Sequence, residues 1–117
     1  MKKLDAKFKL WLNTKKGQGA LGDGKWKLLK TIENKGSLAE ACSSLRISYR
    51  KAWGDIRKME DALNIILVEK HRGGNKGGTS SLTAHGKKLV KAYSNFHNET
   101  EKAVKKAYNR HIVSLIK

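Results

Sequence analysis

Two helix-start signals stand close together in this sequence, at Ser37 and Ser48, and they constrain the fold more than any other feature. The stretch S-L-A-E from Ser37 matches a capping box, in which the serine hydroxyl and the glutamate carboxylate satisfy backbone N–H groups at a helix start. This predicts a short helix over residues 38–45. Ser48 can cap a further helix that runs to about Leu63, and residues 46–47 leave room only for a tight turn. Two short helices joined in this way predict a helix-turn-helix.

The residues before this motif predict one strand and one helix. Apolar and polar residues alternate from Leu4 to Leu12, which is the period of a half-buried strand, and we predict a strand over residues 4–14. The glycine-rich K-K-G-Q-G-A-L-G-D-G segment predicts a loop, with Asp23 as a candidate helix cap. Apolar residues at helical spacing then predict a first helix over residues 25–35, ended by Gly36.

The residues after the helix-turn-helix predict a β-hairpin. The stretch I-I-L-V-E-K from Ile65 predicts a strand, and T-S-S-L from Thr79 predicts its returning partner. The glycine-rich turn R-G-G-N-K-G-G lies between them. The hairpin therefore spans residues 65–83 and carries a long, basic tip.

A final helical stretch over residues 84–116, capped by Thr83, is long for so small a protein. If it is continuous, it measures on the order of 50 Å, which is more than one small domain can cover, so we expect a twofold dimer to bury the excess. Residues 94–98 favour a helix weakly, and a break into two helices stays open. The residues that keep a three-and-four spacing are Leu89, Tyr93, Phe96, Thr100, Ala103, Ala107, His111 and Leu115, and all but His111 are candidate dimer contacts.

The helix after Ser48 has a divided surface. At about 100° per residue, Ala52, Ile56, Met59 and Leu63 fall on one narrow face, which we expect to pack inward. Tyr49 and Trp53 lie one turn apart at the margin of that face, and core packing is the simpler interpretation of Trp53. The opposite face carries Arg50, Lys51, Gly54, Arg57, Lys58 and Asp61.

A glycine among four cations makes that opposite face unusual. A solvated helix surface is the ordinary interpretation of a charge run. Gly54, however, costs about 1 kcal/mol relative to alanine inside a helix, and no cap or turn requires it there. Close approach of a nucleic-acid backbone would explain it, since the major groove of DNA admits a helix.

The charge balance narrows the class of partner. Lys and Arg number 26 against 10 Asp and Glu, which gives a formal net charge of +16. Such a charge favours a polyanionic binding partner. Nucleic acid is the first candidate for this partner. An anionic membrane is the second, because the sequence has no run of about 18 apolar residues that could span a bilayer. The charged start M-K-K-L-D-A-K-F-K-L-W-L is not a plausible signal peptide, and the single cysteine fits a reducing cytoplasm.

Other motifs point to no enzyme. G-Q-G-A-L-G from Gly17 has the spacing of a dinucleotide fingerprint, but another helix begins at Ser37 where the next parallel strand of such a fold should lie. Thr79 stands where a phosphate-binding loop would place its lysine. The histidines and the cysteine show no metal-ligand spacing, and no elbow motif or carboxylate pair organises a hydrolytic site. We therefore expect no catalytic residue, metal or cofactor.

The stretch "GSLAEACSSLRISYRKAWGDIRKMEDAL…LVEKHRGGNKGGTSSLTAHGKKL" resembles the helix-turn-helix region of LysR-type regulators and, more closely, the DNA-binding domain of ModE-type molybdate-responsive regulators. The resemblance covers about residues 25–90. It implies a dimer whose third helix reads a major groove while the hairpin, as a wing, contacts flanking backbone. Regulators of this type that sense molybdate do so through a separate oxyanion-binding domain, and this sequence stops at Lys117, so no molybdate site is expected in it.

The combined hypothesis is one winged helix-turn-helix domain over residues 1–117, mainly α with a small β component. We expect it to bind an inverted repeat in double-stranded DNA as a cytoplasmic, nucleoid-associated homodimer that regulates transcription. A nonspecific architectural nucleic-acid-binding protein is the alternative. The candidate DNA contacts are Ser37, Ser48, Tyr49, Arg50, Lys51, Gly54, Arg57, Lys58, Arg72, Asn75, Lys76 and Thr79.

Overall fold

The computed structural model describes residues 3–72 and 79–116. Its elements are β1 Trp11–Asn13, β2 Gly19–Gly22, α1 Asp23–Lys35, α2 Leu38–Leu45, α3 Tyr49–Leu63, β3 Val68–His71, β4 Thr79–Leu82, α4 Ala84–Tyr108, a π-helical segment Asn109–Val113, and α5 Ser114–Ile116. The predicted fold class, mainly α with small antiparallel strand pairs and a long last helix, is confirmed.

One hydrophobic core joins the first three helices to the base of the hairpin. The inward face predicted for α3 is confirmed: Ala52, Ile56 and Met59 are fully buried, and Leu63 is partly buried against the core. Burying each large side chain of this kind contributes about 1.5–3 kcal/mol. The core consists of Leu21, Leu28, Leu29, Ile32, Leu38, Ala41, Cys42, Ala52, Ile56, Met59, Leu67, Val68, Leu82, Val90 and Tyr93.

The predicted strand over residues 4–14 is wrong in extent. Only Trp11–Asn13 is a strand, and it pairs antiparallel with Gly19–Gly22, a segment predicted to be loop. Residues 3–10, here called the N-terminal arm, instead lie along α4. There the hydroxyl of Tyr93 donates to the carbonyl of Leu10 at 2.8 Å, and that of Tyr108 donates to the carbonyl of Leu4 at 2.8 Å.

The predicted cap of the first helix is also wrong. Gly22 occupies the N-cap position, and no side-chain cap bond is made there. Asp23 lies in the first turn, where its Oδ1 is 2.8 Å from the hydroxyl oxygen of Tyr93 and shares the single hydroxyl proton with the carbonyl of Leu10. The carboxylate therefore ties α1 to α4, a contact between residues far apart in sequence.

The helix-turn-helix forms as its capping signals predict. Ser37 Oγ accepts from the backbone N–H of Glu40 at 3.2 Å, and Ser48 Oγ accepts from that of Lys51 at 3.0 Å. Arg46 closes α2 in the left-handed region, with φ 57°, and thereby turns the chain towards α3. A satisfied cap of this kind stabilises a helix by about 1 kcal/mol.

The wing hairpin is joined to α4 by an unusually close backbone contact. Val68 pairs with Leu82 at its base. The carbonyl of Leu67 accepts from the N–H of Thr83 at 2.9 Å, and a Cβ added to Gly86 would overlap that same carbonyl oxygen. Glycine is thus required at Gly86, so that the start of α4 can rest on the wing strand.

The long helix runs without a break through residues 94–98 and extends beyond the core. Its irregularity lies later, at the π-helical segment Asn109–Val113. The radius of gyration is 17.9 Å, against about 13 Å for a compact chain of this length. The extents are 64 × 31 × 22 Å, so the second half of α4 projects from the body.

Candidate nucleic-acid interface

The outer face of α3 presents a set of exposed cations. Arg50, Arg57 and Lys58 are exposed and have no carboxylate partner among residues 3–72 and 79–116. Tyr49 is 48% exposed beside them. Guanidinium groups that no carboxylate neutralises keep their donors available for an anion.

Lys51 differs from the other cations of this face. Its Nζ lies 3.2 Å from Oδ2 of Asp55, one turn further along the helix. The pair is solvent-exposed on the lysine side, and pairs of this spacing contribute about 0.3–0.5 kcal/mol. Asp55, whose role the sequence left open, therefore orients Lys51.

Gly54 lies at the centre of this outer face, and nothing inside the protein requires a glycine there. A Cβ added at this position would meet no atom within 4 Å. Its backbone is ordinary helix, without the positive φ that Gly17 and Gly36 show. Internal packing thus leaves Gly54 unexplained.

Trp53 lies between the outer face of α3 and the wing. The guanidinium carbon of Arg57 is 5.4 Å from its ring centre, and Nζ of Lys70, on β3, is 5.0 Å from it. The Tyr49 ring meets it edge-on at 6.3 Å. Trp53 is partly buried and packs on the core, as expected from the sequence, but its contacts with the cations were not foreseen.

The wing is braced against the end of α3 by a single carboxylate. Oε2 of Glu60 accepts from the N–H groups of Leu67 at 2.8 Å and Val68 at 3.2 Å. The strand accordingly begins at Val68, later than the predicted Ile65. Sequence periodicity gave no signal for this contact, because Glu60 satisfies donors in another element.

The remaining DNA-contact candidates are distributed around the wing and α2. Thr79 and Arg72 are exposed at the tip-proximal ends of the two wing strands. Ser37, half-buried, is engaged as the cap of α2. Asn75 and Lys76 lie outside the described residues.

The candidate dimer residues divide between the buried and the exposed side of α4, and Leu115 lies beyond it in α5. Tyr93 is wrong as a dimer contact: it is 2% exposed and packs in the core, where burial first and then Asp23 raise the pKa of its hydroxyl above the ordinary range. Leu89 packs partly on the core. Phe96 is 43% exposed, Leu115 is 74% exposed, and Ala103, Ala107 and the half-buried Thr100 complete an unpartnered face.

The described residues offer little other chemistry. No group of three metal-binding side chains occurs among them, and no helix within them is long and apolar enough to cross a membrane. Gly19–Gly22 forms β2 and pairs antiparallel with β1, unlike the parallel unit that holds a dinucleotide. Burial raises the pKa of the Cys42 thiol, which favours its unreactive neutral form.

A three-helix core with a capped helix-turn-helix and an antiparallel hairpin packed against α3 defines a winged helix-turn-helix protein. Comparisons with known proteins give the particular resemblance: this chain is similar to part of the ModE regulators. No family model matches it.

Three relatives illustrate the relationship. The chain is 39% identical over 66 residues to the transcriptional regulator ModE of Yersinia pestis and, equally, to the DNA-binding transcriptional dual regulator ModE of Escherichia coli K12. These matches cover 56% of this chain and 25% of each relative. It is 33% identical over 91 residues to the molybdenum transport protein ModE of Azotobacter vinelandii, covering 78% of this chain and 34% of that protein. The chain thus spans a quarter to a third of these relatives.

Proposed function

We propose that this protein is a sequence-specific, double-stranded-DNA-binding transcription regulator that acts as a cytoplasmic homodimer. In this proposal α3 enters a major groove and the wing lies along the adjacent backbone. The relationship to regulators named as DNA-binding supports the class. The particular residues are argued from the surface of α3.

The observation that carries the proposal is the combination of unpaired cations and Gly54 on the outer face of α3. Neither Arg50 nor Arg57 pairs with a carboxylate in the part of the chain that the structure describes, and arginine can donate two hydrogen bonds to O6 and N7 of guanine. Gly54, with open space beside it, lets the helix backbone approach the groove. Lys51 and Lys58 supply positive charge to the flanking phosphates.

The start of α3 and the wing would fix the orientation on the duplex. The Ser48 cap occupies the N–H of Lys51, and the N–H groups of Tyr49 and Arg50, which have no acceptor within the helix, can donate to a phosphate. The brace from Glu60 sets the direction of the wing relative to α3. Arg72, Thr79 and the tip residues Asn75 and Lys76 would then contact sugar and phosphate beyond the groove.

Dimerisation is proposed from the projecting half of α4. Its exposed face carries Phe96, Ala103 and Ala107, and Leu115 lies beyond it in α5, whereas the N-terminal arm covers the neighbouring face. A second copy of this helix would bury that stripe by a self-complementary contact. Two recognition helices would then reach half-sites about 34 Å apart, which corresponds to an inverted repeat.

Nonspecific architectural binding is the second candidate, and the charge favours it. The net charge of +16 is not confined to α3, since Lys87, Lys88 and Lys91 are exposed on α4. Such a distribution attracts any nucleic acid by releasing counterions.

Selection of bound duplexes from random DNA, performed at two salt concentrations, separates the two candidates. Specific regulation predicts an enriched palindrome at both concentrations. Architectural binding predicts no enriched sequence and an affinity that simply follows the salt concentration. An analytical-ultracentrifugation mass of a dimer, lost when Phe96 and Ala103 are replaced by glutamate, tests the assembly.

A further inference from the structure

Trp53 holds cations from two separate elements on one ring. Arg57 belongs to α3, one turn beyond Trp53, and Lys70 belongs to the wing strand β3. The two charged groups lie 5.4 and 5.0 Å from the indole centre, within the range of about 6 Å at which a cation is attracted to an aromatic face. The ring is thus a physical link between the recognition helix and the wing.

A ring holds a cation differently from a carboxylate. Asp55 forms an ion pair with Lys51 and occupies one of its donors. Trp53 attracts Arg57 and Lys70 through its quadrupole, which restrains their side chains and leaves their net charge and their N–H donors available. Restraint before binding lowers the side-chain entropy that is lost when a complex forms.

The indole N–H of Trp53 contributes nothing to its packing on the core. Nε1 of Trp53 is buried and has no acceptor among the described residues. A buried donor without an acceptor is unfavourable for folding. Phenylalanine would fill much of the same space and has no such donor. The wider ring of tryptophan binds cations more strongly than phenylalanine does.

We propose that Trp53 is a positioning residue that aligns Arg57 and Lys70 towards the same stretch of DNA, so that the recognition helix and the wing bind as one unit. This inference rests on the proposed function. It adds Lys70 to the DNA-contacting residues and assigns Trp53 a role in specificity without requiring it to touch DNA.

A double-mutant cycle in DNA affinity tests the link. Trp53→Leu, Lys70→Ala and the double variant of the full chain are titrated with the selected duplex. We expect Trp53→Leu to weaken binding about 3- to 30-fold, and we expect Lys70→Ala to cost at least about 3-fold less in the Trp53→Leu background than in the native one. Losses that simply multiply would overturn the proposal.

The salt dependence gives a readout that a purely structural role would not move. Trp53→Leu removes no charge, yet the slope of log affinity against log salt should fall by about one, because Lys70 no longer reaches its phosphate. An unchanged slope contradicts the inference.

Trp53→Phe is the control for misfolding. Its thermal midpoint should equal or exceed that of the native protein, and its DNA affinity should fall between those of the native protein and Trp53→Leu. Native affinity in Trp53→Phe also contradicts the inference.

Trp26 and Lys30 form a matched control pair, since Nζ of Lys30 lies 4.8 Å from the Trp26 ring but on α1. Their cycle, made with Trp26→Phe and Lys30→Ala, should show no coupling in DNA affinity, and equal coupling in both pairs would overturn the proposal.

If the native chain enriches no sequence and Arg50→Ala has no effect, the proposed function fails. If Arg50→Ala is impaired and the Trp53 cycle is uncoupled, the positioning role alone fails.

Discussion

The start of α4 and the outer face of α3 each contain a glycine inside a helix, for opposite reasons. At Gly86 a side chain would overlap the carbonyl oxygen of Leu67, so the interior of the protein requires glycine. At Gly54 a side chain would meet nothing within 4 Å, so the interior does not. Both cost helix stability relative to alanine. The cost at Gly86 is offset by packing within the chain. The cost at Gly54 has no internal compensation.

This difference separates residues that serve the fold from residues that serve a partner. Around Gly86, the wing and α4 are joined by backbone contacts that include the bond from Thr83 to Leu67. Around Gly54, Arg50 and Arg57 project from the surface without a carboxylate partner among the described residues. Substitutions in the first region should therefore change the stability, and those in the second should change DNA affinity.

The largest effect is expected at the first region. Gly86→Ala forces the backbones of α4 and β3 apart, and overpacking against a backbone atom that cannot rotate away should lower the free energy of unfolding by about 3 kcal/mol or more. Urea unfolding followed by circular dichroism measures this. Gly24→Ala, in α1 and also without a neighbour within 4 Å, is the matched control and should be neutral or slightly stabilising.

Glu60 extends the comparison, because it lies on α3 but its carboxylate contacts the wing within the protein. Glu60→Ala removes the acceptor of two wing N–H groups and should cost about 2 kcal/mol of unfolding free energy. Glu69→Ala, exposed on β3, provides the control. A Glu60→Ala protein as stable as the control would show that the wing is held by its pairing alone.

Arg50→Ala and Arg57→Ala test the outer face. If each arginine donates two bonds to a base, each substitution should cost about 1–3 kcal/mol of DNA affinity, concentrated at one base pair of the site. The free energy of unfolding should stay unchanged. Binding to a panel of single-base variants measures the distribution, and an equal loss on every sequence would reassign the side chain to phosphate.

The elements with local signals could be predicted from the sequence. The caps at Ser37 and Ser48 and the inward face of α3 follow from neighbouring residues, and they form as expected. Alternation near the amino terminus misled the strand prediction, since Leu10 and its neighbours pack along α4. In the stripe on α4, spacing alone could not separate Tyr93, which faces the core, from Phe96, which faces solvent.

The site was predictable in its residue types more than in its connections. Exposed cations around Gly54 follow from helical periodicity alone. The contact of Trp53 with Lys70 and the brace from Glu60 join residues of different elements, and their partners are set by how the wing packs on α3. No spacing in the chain encodes such contacts.

The smallest effect is expected at the wing tip. Lys76→Ala should weaken binding to all sequences alike and lower the salt slope by about one, because a lysine on phosphate releases about one counterion. Lys16→Ala, between β1 and β2, serves as the control and should leave the slope unchanged. A base-specific loss at Lys76 would instead indicate that the tip reads sequence.

Gly54→Ala tests the central claim most directly, because it adds one methyl group to the outer face of α3 and disturbs no internal contact. Unfolding and DNA titration are measured on the same preparation. We predict that the free energy of unfolding rises by about 1 kcal/mol, from helix propensity, while DNA affinity falls about tenfold or more because the backbone is held away from the groove. A variant that is more stable and binds DNA as tightly as the native protein would contradict the account.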